Sequence, residues 1–286
     1  MKLESGLILV DKAKGPTSQQ LSLWLKDILK KKVCHVGTLD PFASGILPIL
    51  FGKGIKLQEY MQKHRKEYHF IVEMERPIPR ADLESVLKEF EGKIYQKPPK
   101  ISAVAKRLRT RKIYYLELLE LEGRYALLKM GCQHGTYVRK LVDDLSIILG
   151  LPMRLLELRR TKVEQFSEKD AVILQKVVDA IKLFNDGFED AIKGVVKPLS
   201  EGVKHLPSVS VKESAIKSIT NGMPIAAPAI ESMKGDIRKG RPVAVFSGND
   251  LIAMGIALKD REEISALKKG LVVKTDKVLV ERKIYK

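Results

Sequence analysis

Residues 35–48 read His35-Val36-Gly37-Thr38-Leu39-Asp40-Pro41-Phe42-Ala43-Ser44-Gly45-Ile46-Leu47-Pro48. One carboxylate, Asp40, stands among residues that bend and stiffen the chain. Gly37 and Gly45 permit backbone angles that other residues resist. Pro41 pushes the residue before it out of the helical region. A carboxylate on a stiff loop between two apolar runs is a way to present an acid or nucleophile to a cleft. Asp before Pro is also an ordinary turn former, so these residues alone leave both readings open.

At 286 residues the chain can bury a substantial core and divide into two domains. A hydrophobic fraction of 44% and a charged fraction of 30% are those of a folded globular protein. Lys and Arg number 52 against 35 Asp and Glu, a formal charge of +17. That excess points to a polyanionic partner, nucleic acid before membrane, because no basic amphipathic helix with an aromatic face stands out. The competing reading is a lysine-rich surface that serves solubility. Cys34 and Cys132 lie far apart without metal-site spacing and read as small buried hydrophobes. The five histidines form no HxxxH or Cys/His cluster, so no metal is expected. The apolar run at 7–10 is too short for a signal sequence or a membrane span, and a cytoplasmic protein is expected.

Periodicity predicts a buried strand at 7–10, then a helix capped by Thr17 with Gln20 at capping-box spacing. Leu21, Trp24, Leu25, Ile28 and Leu29 recur at helical intervals, and Lys30-Lys31-Lys32 suits the negative end of the helix dipole. Strands are expected at 46–51 and 66–74, helices at 53–62 and 81–90, and a hairpin about Glu122-Gly123-Arg124. A helix starting after Gly135 and ending at Gly150, a strand at 156–161, and helices near 167–183 and 187–196 follow. Residues 198–207 read as a boundary. Beyond it come a strand at 208–211, a short helix at 215–219, and a glycine-punctuated β pattern. Between Lys97 and Lys112 there are seven basic residues and no acidic one, including Lys106, Arg107, Arg109, Arg111 and Lys112. Like charges at that density repel unless an anion is near, so phosphate contact is expected, a solvated basic strand being the alternative.

HVGTLDPFASGILP closely resembles the active-site motif of the TruB-type pseudouridine synthases, which include archaeal and eukaryotic dyskerin-like enzymes. The match falls on the Asp that this family uses as its catalytic residue. The resemblance extends to DKAKGPTS at 11–18, with Ala13 in place of the usual Pro, and to Lys66-Glu67-Tyr68. It continues in Pro98-Pro99 with Ser102-Ala103-Val104, in GTYVRKL at 135–141, and in Leu156–Thr161. It implies that Asp40 is catalytic, that Tyr68 stacks on the target base, and that Arg139 pairs with Asp40. A paired Arg fixes a carboxylate and keeps it ionised. An Arg at a helix start otherwise opposes the dipole, a local conflict that fits a functional role. Leu158 and His35 are implied to line the substrate site.

The stretches ITNGMPIAAPAI and IRKGRPVAVFSGNDLIAMGIAL are similar to a PUA domain, a small β-barrel RNA-binding module. Ala229 stands where a Gly is common and Arg241 where an acidic residue is common. The implied fold is α+β: a catalytic domain at 1–197 with a mixed, largely antiparallel sheet flanked by helices, a linker at 198–207, and a PUA domain at 208–286. The implied reaction is isomerisation of uridine to pseudouridine in RNA, without cofactor or metal. The short connection at 75–79 resembles the guide-RNA-dependent branch, whose members act on rRNA or tRNA with an H/ACA guide RNA and small partner proteins. Only five residues precede Gly6, where that branch usually carries an extension wrapping the PUA domain. A stand-alone tRNA enzyme and a non-catalytic RNA-binding scaffold remain the alternatives.

Overall fold

In the computed structural model, which describes residues 3–97 and 107–280, the apolar N-terminal run is strand β1 (Gly6–Lys12), buried along nearly its whole length. It pairs antiparallel with β3 (Ser44–Phe51), which is buried on both faces. Strands covered on both sides read as continuous apolar runs, as these two do. Helix α1 (Ser18–Leu29) begins with the expected capping box, Thr17 accepting from the Gln20 backbone while the Gln20 side chain accepts from that of Thr17. Lys30 adopts φ 52° and ends the helix, so only Lys26 lies in its last turn and the lysine run falls outside it. Trp24 is 45% exposed, a correction to its placement with the buried stripe of Leu21, Leu25 and Leu29. A short β2 (Val33–His35) then leads into the Asp40 loop.

After β3 the expected single helix is instead a 3-10 segment (Gly52–Leu57) followed by α2 (Gln58–Met61). Gly52 and Gly54, poor helix formers, break the regular turn. Then come β4 (Lys66–Met74), α3 (Arg80–Glu89), β5 (Gly92–Gln96), β6 (Arg109–Glu122), β7 (Tyr125–Cys132) and α4 (Val138–Leu149), capped by Gly150 at φ 59°. Strand β8 (Met153–Val163) is central. It lies parallel to β3 and antiparallel to β4, inside a sheet ordered β1-β3-β8-β4-β7-β6-β5. Residues 167–173 form no α-helix. They form β9 (Phe166–Ser167), a 3-10 turn, and β10 (Val172–Ile173), which pairs with β1. Helix α5 (Leu174–Asn185) follows. Where a helix was expected at 187–196 there is a 3-10 turn (Glu189–Ile192) ahead of β11 (Val196–Lys197). The sheet is mixed and largely antiparallel, as expected.

A second sheet of six strands holds β12 (Ser208–Val211), β13 (Ile225–Ala226), β14 (Ile230–Lys234), β15 (Pro242–Ser247), β16 (Asp250–Ala257) and β17 (Leu271–Val278). Two short helices accompany it, α6 (Ile216–Thr220) and α7 (Arg261–Ala266). The two sheets share apolar core: Leu7 and Leu50 of the first, with Met61 of α2, lie in one buried cluster with Leu251 and Met254 of the second and Leu279 just after it. Val203, on the segment between them, is 1% exposed in that cluster. Lys56 Nζ donates to the Val278 carbonyl at 2.7 Å, and Tyr60 hydrogen-bonds Asp276. No helix among the described residues is long and apolar enough to cross a membrane.

Candidate active site

The Asp40 loop is pinned from beneath. Lys12, fully buried at the end of β1, donates its ammonium to the carbonyls of Ala43 (2.7 Å), Ala13 (2.9 Å) and Pro41 (3.3 Å). Gly15 N–H also reaches the Pro41 carbonyl at 2.9 Å. Ser18, at the start of α1, accepts from Leu39 N–H and donates to the Leu39 carbonyl. Burial and the Arg160 charge lower the Lys12 pKa, while the Asp40 charge raises it. The segment 11–18, expected to support this loop, therefore does so through one buried cation and one hydroxyl.

Arg139, one residue into α4, meets the loop from the other side. Its Nη2 lies 3.2 Å from Asp40 Oδ1 and 3.1 Å from Oδ2, so one nitrogen bridges both carboxylate oxygens. The guanidinium also stands over the Phe42 ring, 5.9 Å from its centroid. The start of α4 is held by Gln96, which accepts from Tyr137 N–H at 2.9 Å and donates to its carbonyl at 3.1 Å. Arg139 is thus fixed by its helix while Asp40 is fixed by its loop.

Asp40 and Arg139 line a cavity of about 600 Å³ together with His35, Tyr68 and Leu158. Tyr68 and Leu158 reach it from neighbouring strands, where Leu158 pairs with Phe70 and Arg160 with Tyr68. Both side chains are nearly buried, at 9% and 5% exposed, and burial raises the Tyr68 pKa. His35 is bracketed by Ser22 Oγ and Thr38 Oγ1, each 3.0 Å from a ring nitrogen. Burial first, then the Arg160 charge, lowers its pKa and favours the neutral ring. Of the basic segment, Arg109 and Arg111 line the cavity, whereas Arg107 and Lys112 are exposed. Lys112 Nζ lies 5.6 Å from the Tyr114 ring. Lys106, Pro98-Pro99 and Ser102-Ala103-Val104 lie outside the described residues.

Several lining or supporting residues escaped the sequence reading, among them Lys12, Lys66, Gln96, His134 and Arg160. Arg160 is 1% exposed, donates through Nε to the Ile46 carbonyl at 2.8 Å, and pairs with the Tyr68 hydroxyl. It ties β8 to β3 and to Tyr68 at once. A readable signal was parity: on a strand Arg160 must share a face with Leu158, two residues earlier. Among the described residues the cavity wall carries five basic side chains (Lys66, Arg109, Arg111, Arg139, Arg160) and one carboxylate, Asp40. Such a site attracts a polyanion and offers a single acidic group for chemistry on it. Among the described residues no cluster of three or more His, Cys, Asp or Glu side chains could hold a metal.

Comparison with known proteins gives three family matches. The N-terminal domain of TruB family pseudouridylate synthases matches residues 26–84 and 71–138. The C-terminal domain of tRNA pseudouridylate synthase B matches 139–204, and the PUA domain matches 207–279. A protein of Pyrobaculum arsenaticum named "Probable tRNA pseudouridine synthase B" is 40% identical over 286 residues, 99% of this chain and 86% of that protein. One of the same name from Methanopyrus kandleri is 40% identical over 283 residues, 98% of this chain and 84% of its own. Among solved structures, a Cbf5-Nop10-Gar1 complex matches with a TM-score of 0.93 at 37% identity, covering 100% of this chain and 88% of that one. An H/ACA RNP bound to a substrate RNA containing 2′-deoxyuridine matches at 0.91 and 36%, covering 98% and 87%.

Proposed function

This chain belongs to the TruB family of pseudouridine synthases, RNA isomerases, and from that premise we propose that it is the catalytic subunit of a guide-RNA particle of the H/ACA kind. It would act on rRNA and tRNA uridines, in company with an H/ACA guide RNA and small partner proteins. We divide it into a catalytic domain to residue 197, a linker at 198–207 and a PUA domain from 208.

In the isomerisation the C1′–N1 bond of uridine breaks and a C1′–C5 bond forms. A base inside a stacked RNA must first be turned out, at a cost of a few kcal/mol. The cationic wall offsets that cost by meeting the flanking phosphates, with Arg109 and Arg111 at the cavity and Lys106, Arg107 and Lys112 along the same segment. Tyr68 stacks on the extruded base, and Leu158 and His35 bound its pocket. Asp40 is the nucleophile or base at the breaking glycosidic bond, and Arg139 orients it. The observation that carries this reading is the Asp40–Arg139 pair: one guanidinium nitrogen bridging both oxygens of Asp40, the one carboxylate among the described residues of a basic cavity wall.

The guide-dependent form is supported by similarity along nearly the whole chain to a subunit of a solved H/ACA RNP bound to a substrate RNA. A stand-alone tRNA enzyme is the second reading, favoured by the names of the curated relatives. The test is pseudouridine formation on uridine-labelled RNA, with and without guide RNA and partner proteins. Activity only with them supports the particle, and full activity on bare tRNA overturns it in favour of the second reading.

A further inference from the structure

Arg65 stands just before β4, next to Lys66, and Lys112 stands on β6, next to Arg111. Lys66 and Arg111 line the cavity, so strand alternation turns Arg65 and Lys112 toward the opposite side of the sheet. There both meet one ring. The Arg65 guanidinium carbon lies 4.7 Å from the centre of Tyr114, and Lys112 Nζ lies 5.6 Å from it. Tyr114 is the extra residue where the β6–β7 register shifts, between Ile113 opposite Cys132 and Tyr115 opposite Gly131. A bulge of this kind re-aims a side chain.

The carboxylates of this reverse face already have donors. Glu67, 5% exposed, accepts from the Tyr115 hydroxyl at 2.5 Å and from Thr161 at 2.8 Å, and Lys162 Nζ lies 3.3 Å from it. Glu164 accepts from the Arg65 backbone N–H at 2.7 Å, and Glu117 pairs with Lys129. Arg65, Lys112 and Lys162 are exposed. Among the described residues, the Arg65 and Lys112 side chains rest on a ring and have no carboxylate partner.

We propose that this reverse face is a second RNA contact, a site for unpaired nucleotides continuous with the RNA held at the cavity. A base stacks on the outer face of the Arg65 guanidinium, which Tyr114 supports from beneath. Lys112 and Lys162 meet the phosphates on either side. Unpaired bases stack on guanidinium planes as they do on aromatic rings, and interleaved cations track the backbone between them. The path from the cavity is short, because a strand leaving it past Lys66 and Arg111 next meets their chain neighbours. Charge favours RNA over a protein partner here: three exposed basic side chains face outward, while the carboxylates beside them are engaged.

The inference rests on the reading of the cavity as the place that holds the target uridine, and its test needs no turnover. Binding of a single-stranded oligouridylate to the full chain is measured over a salt series. Arg65→Lys should weaken binding about fivefold or more with the salt slope unchanged, because lysine keeps the charge and lacks the plane. Arg65→Ala should lose at least as much and also lower the log–log slope by about 1. Tyr114→Leu should resemble Arg65→Lys; should it fail to fold, the Arg65 variants decide. Photo-crosslinking then identifies the occupant, with 4-thiouridine placed in the substrate RNA or in a guide RNA. A crosslink at Arg65 or Tyr114 from either strand supports the site and says which strand fills it. No crosslink from either, or normal affinity in Arg65→Lys, overturns the proposal. Variants that weaken the hold on a partner protein while RNA affinity stays normal overturn it in favour of a protein interface. Failure of the unaltered protein to form pseudouridine in any assembly counts against the cavity reading alone, since the binding and crosslinking results stand without it.

Discussion

Two glycines flanking Asp40, Gly37 in its loop and Gly45 in β3, differ in what a methyl group would meet, and exchanging each for alanine measures how closely β8 supports the site. At Gly45, φ is 104°, and a Cβ would lie 2.2 Å from the Arg160 carbonyl oxygen and 2.7 Å from its nitrogen. Those are backbone atoms paired with Gly45 in the parallel ladder, so they cannot swing away. Reaching ordinary contact requires β3 and β8 to part by roughly 1 Å or more. At Gly37, φ is 78°, but the nearest atoms, Arg160 Nη1 and Lys66 Cε, lie at 3.5 and 3.6 Å, ordinary contact. Both variants bear backbone strain of about 1–3 kcal/mol. Gly45→Ala adds an overpacking cost of about 1–3 kcal/mol, for a loss of about 2–6 against about 1–3 for Gly37→Ala. Thermal unfolding of the two variants side by side reads the difference. Displacing the loop by about 1 Å should also cost Gly45→Ala about 10²-fold in single-turnover rate. Equal unfolding midpoints would refute the argument, because then the approach of β8 would not be what requires glycine at 45.

Asp40→Asn should bind RNA as before and lose turnover, and measurable turnover by clean protein would contradict the assignment of Asp40. Arg139→Lys should lower turnover while leaving RNA affinity near normal, because a flexible point charge cannot hold both oxygens as a fixed planar group does. A filter-binding salt titration of Arg111→Ala should show weaker RNA binding and a log–log slope reduced by about 1. Lys66 also makes stability depend on pH. Its folded pKa, about 7, lies below that of the unfolded chain, so the unfolded state binds the extra proton between them. Stability should therefore rise with pH from about 7 toward the ordinary lysine range, and that part of the rise should be missing in Lys66→Met.

Much of this architecture was legible in sequence, and the misses have physical causes. The Thr17–Gln20 box, the alternation of β4 and the Gly150 stop are local signals, and they hold locally. Ser167 and Asp170 also satisfy a capping box, but it caps a single 3-10 turn. The residues after it, Val172 and Ile173, find partners on β1 at Val10 and Asp11, a tertiary pairing invisible to periodicity. Trp24 fell on the helical stripe by spacing, yet nothing packs over it closely enough to bury it. At the site, a motif comparison selects the residues to which the family resemblance gives a role. It passes over Lys12 and Arg160, whose work is done on carbonyls from within the core. Charged side chains in the middle of strands look like surface until the sheet order is known.

The position of β8 governs when the protein can first act. Asp40 and its loop are synthesised early, and Arg139 follows 99 residues later. Arg160, which locks β3 and Tyr68 into place, comes later still, on a strand that must insert between two others already made. Chains emerge from their N-terminus, and pairings between distant segments form late. A nascent or truncated chain ending before β8 therefore holds its acid, its loop and its tyrosine without the strand that assembles them. Such a fragment lacks Leu158 and Arg160, so the cavity around Asp40 and Tyr68 is left without one of its walls.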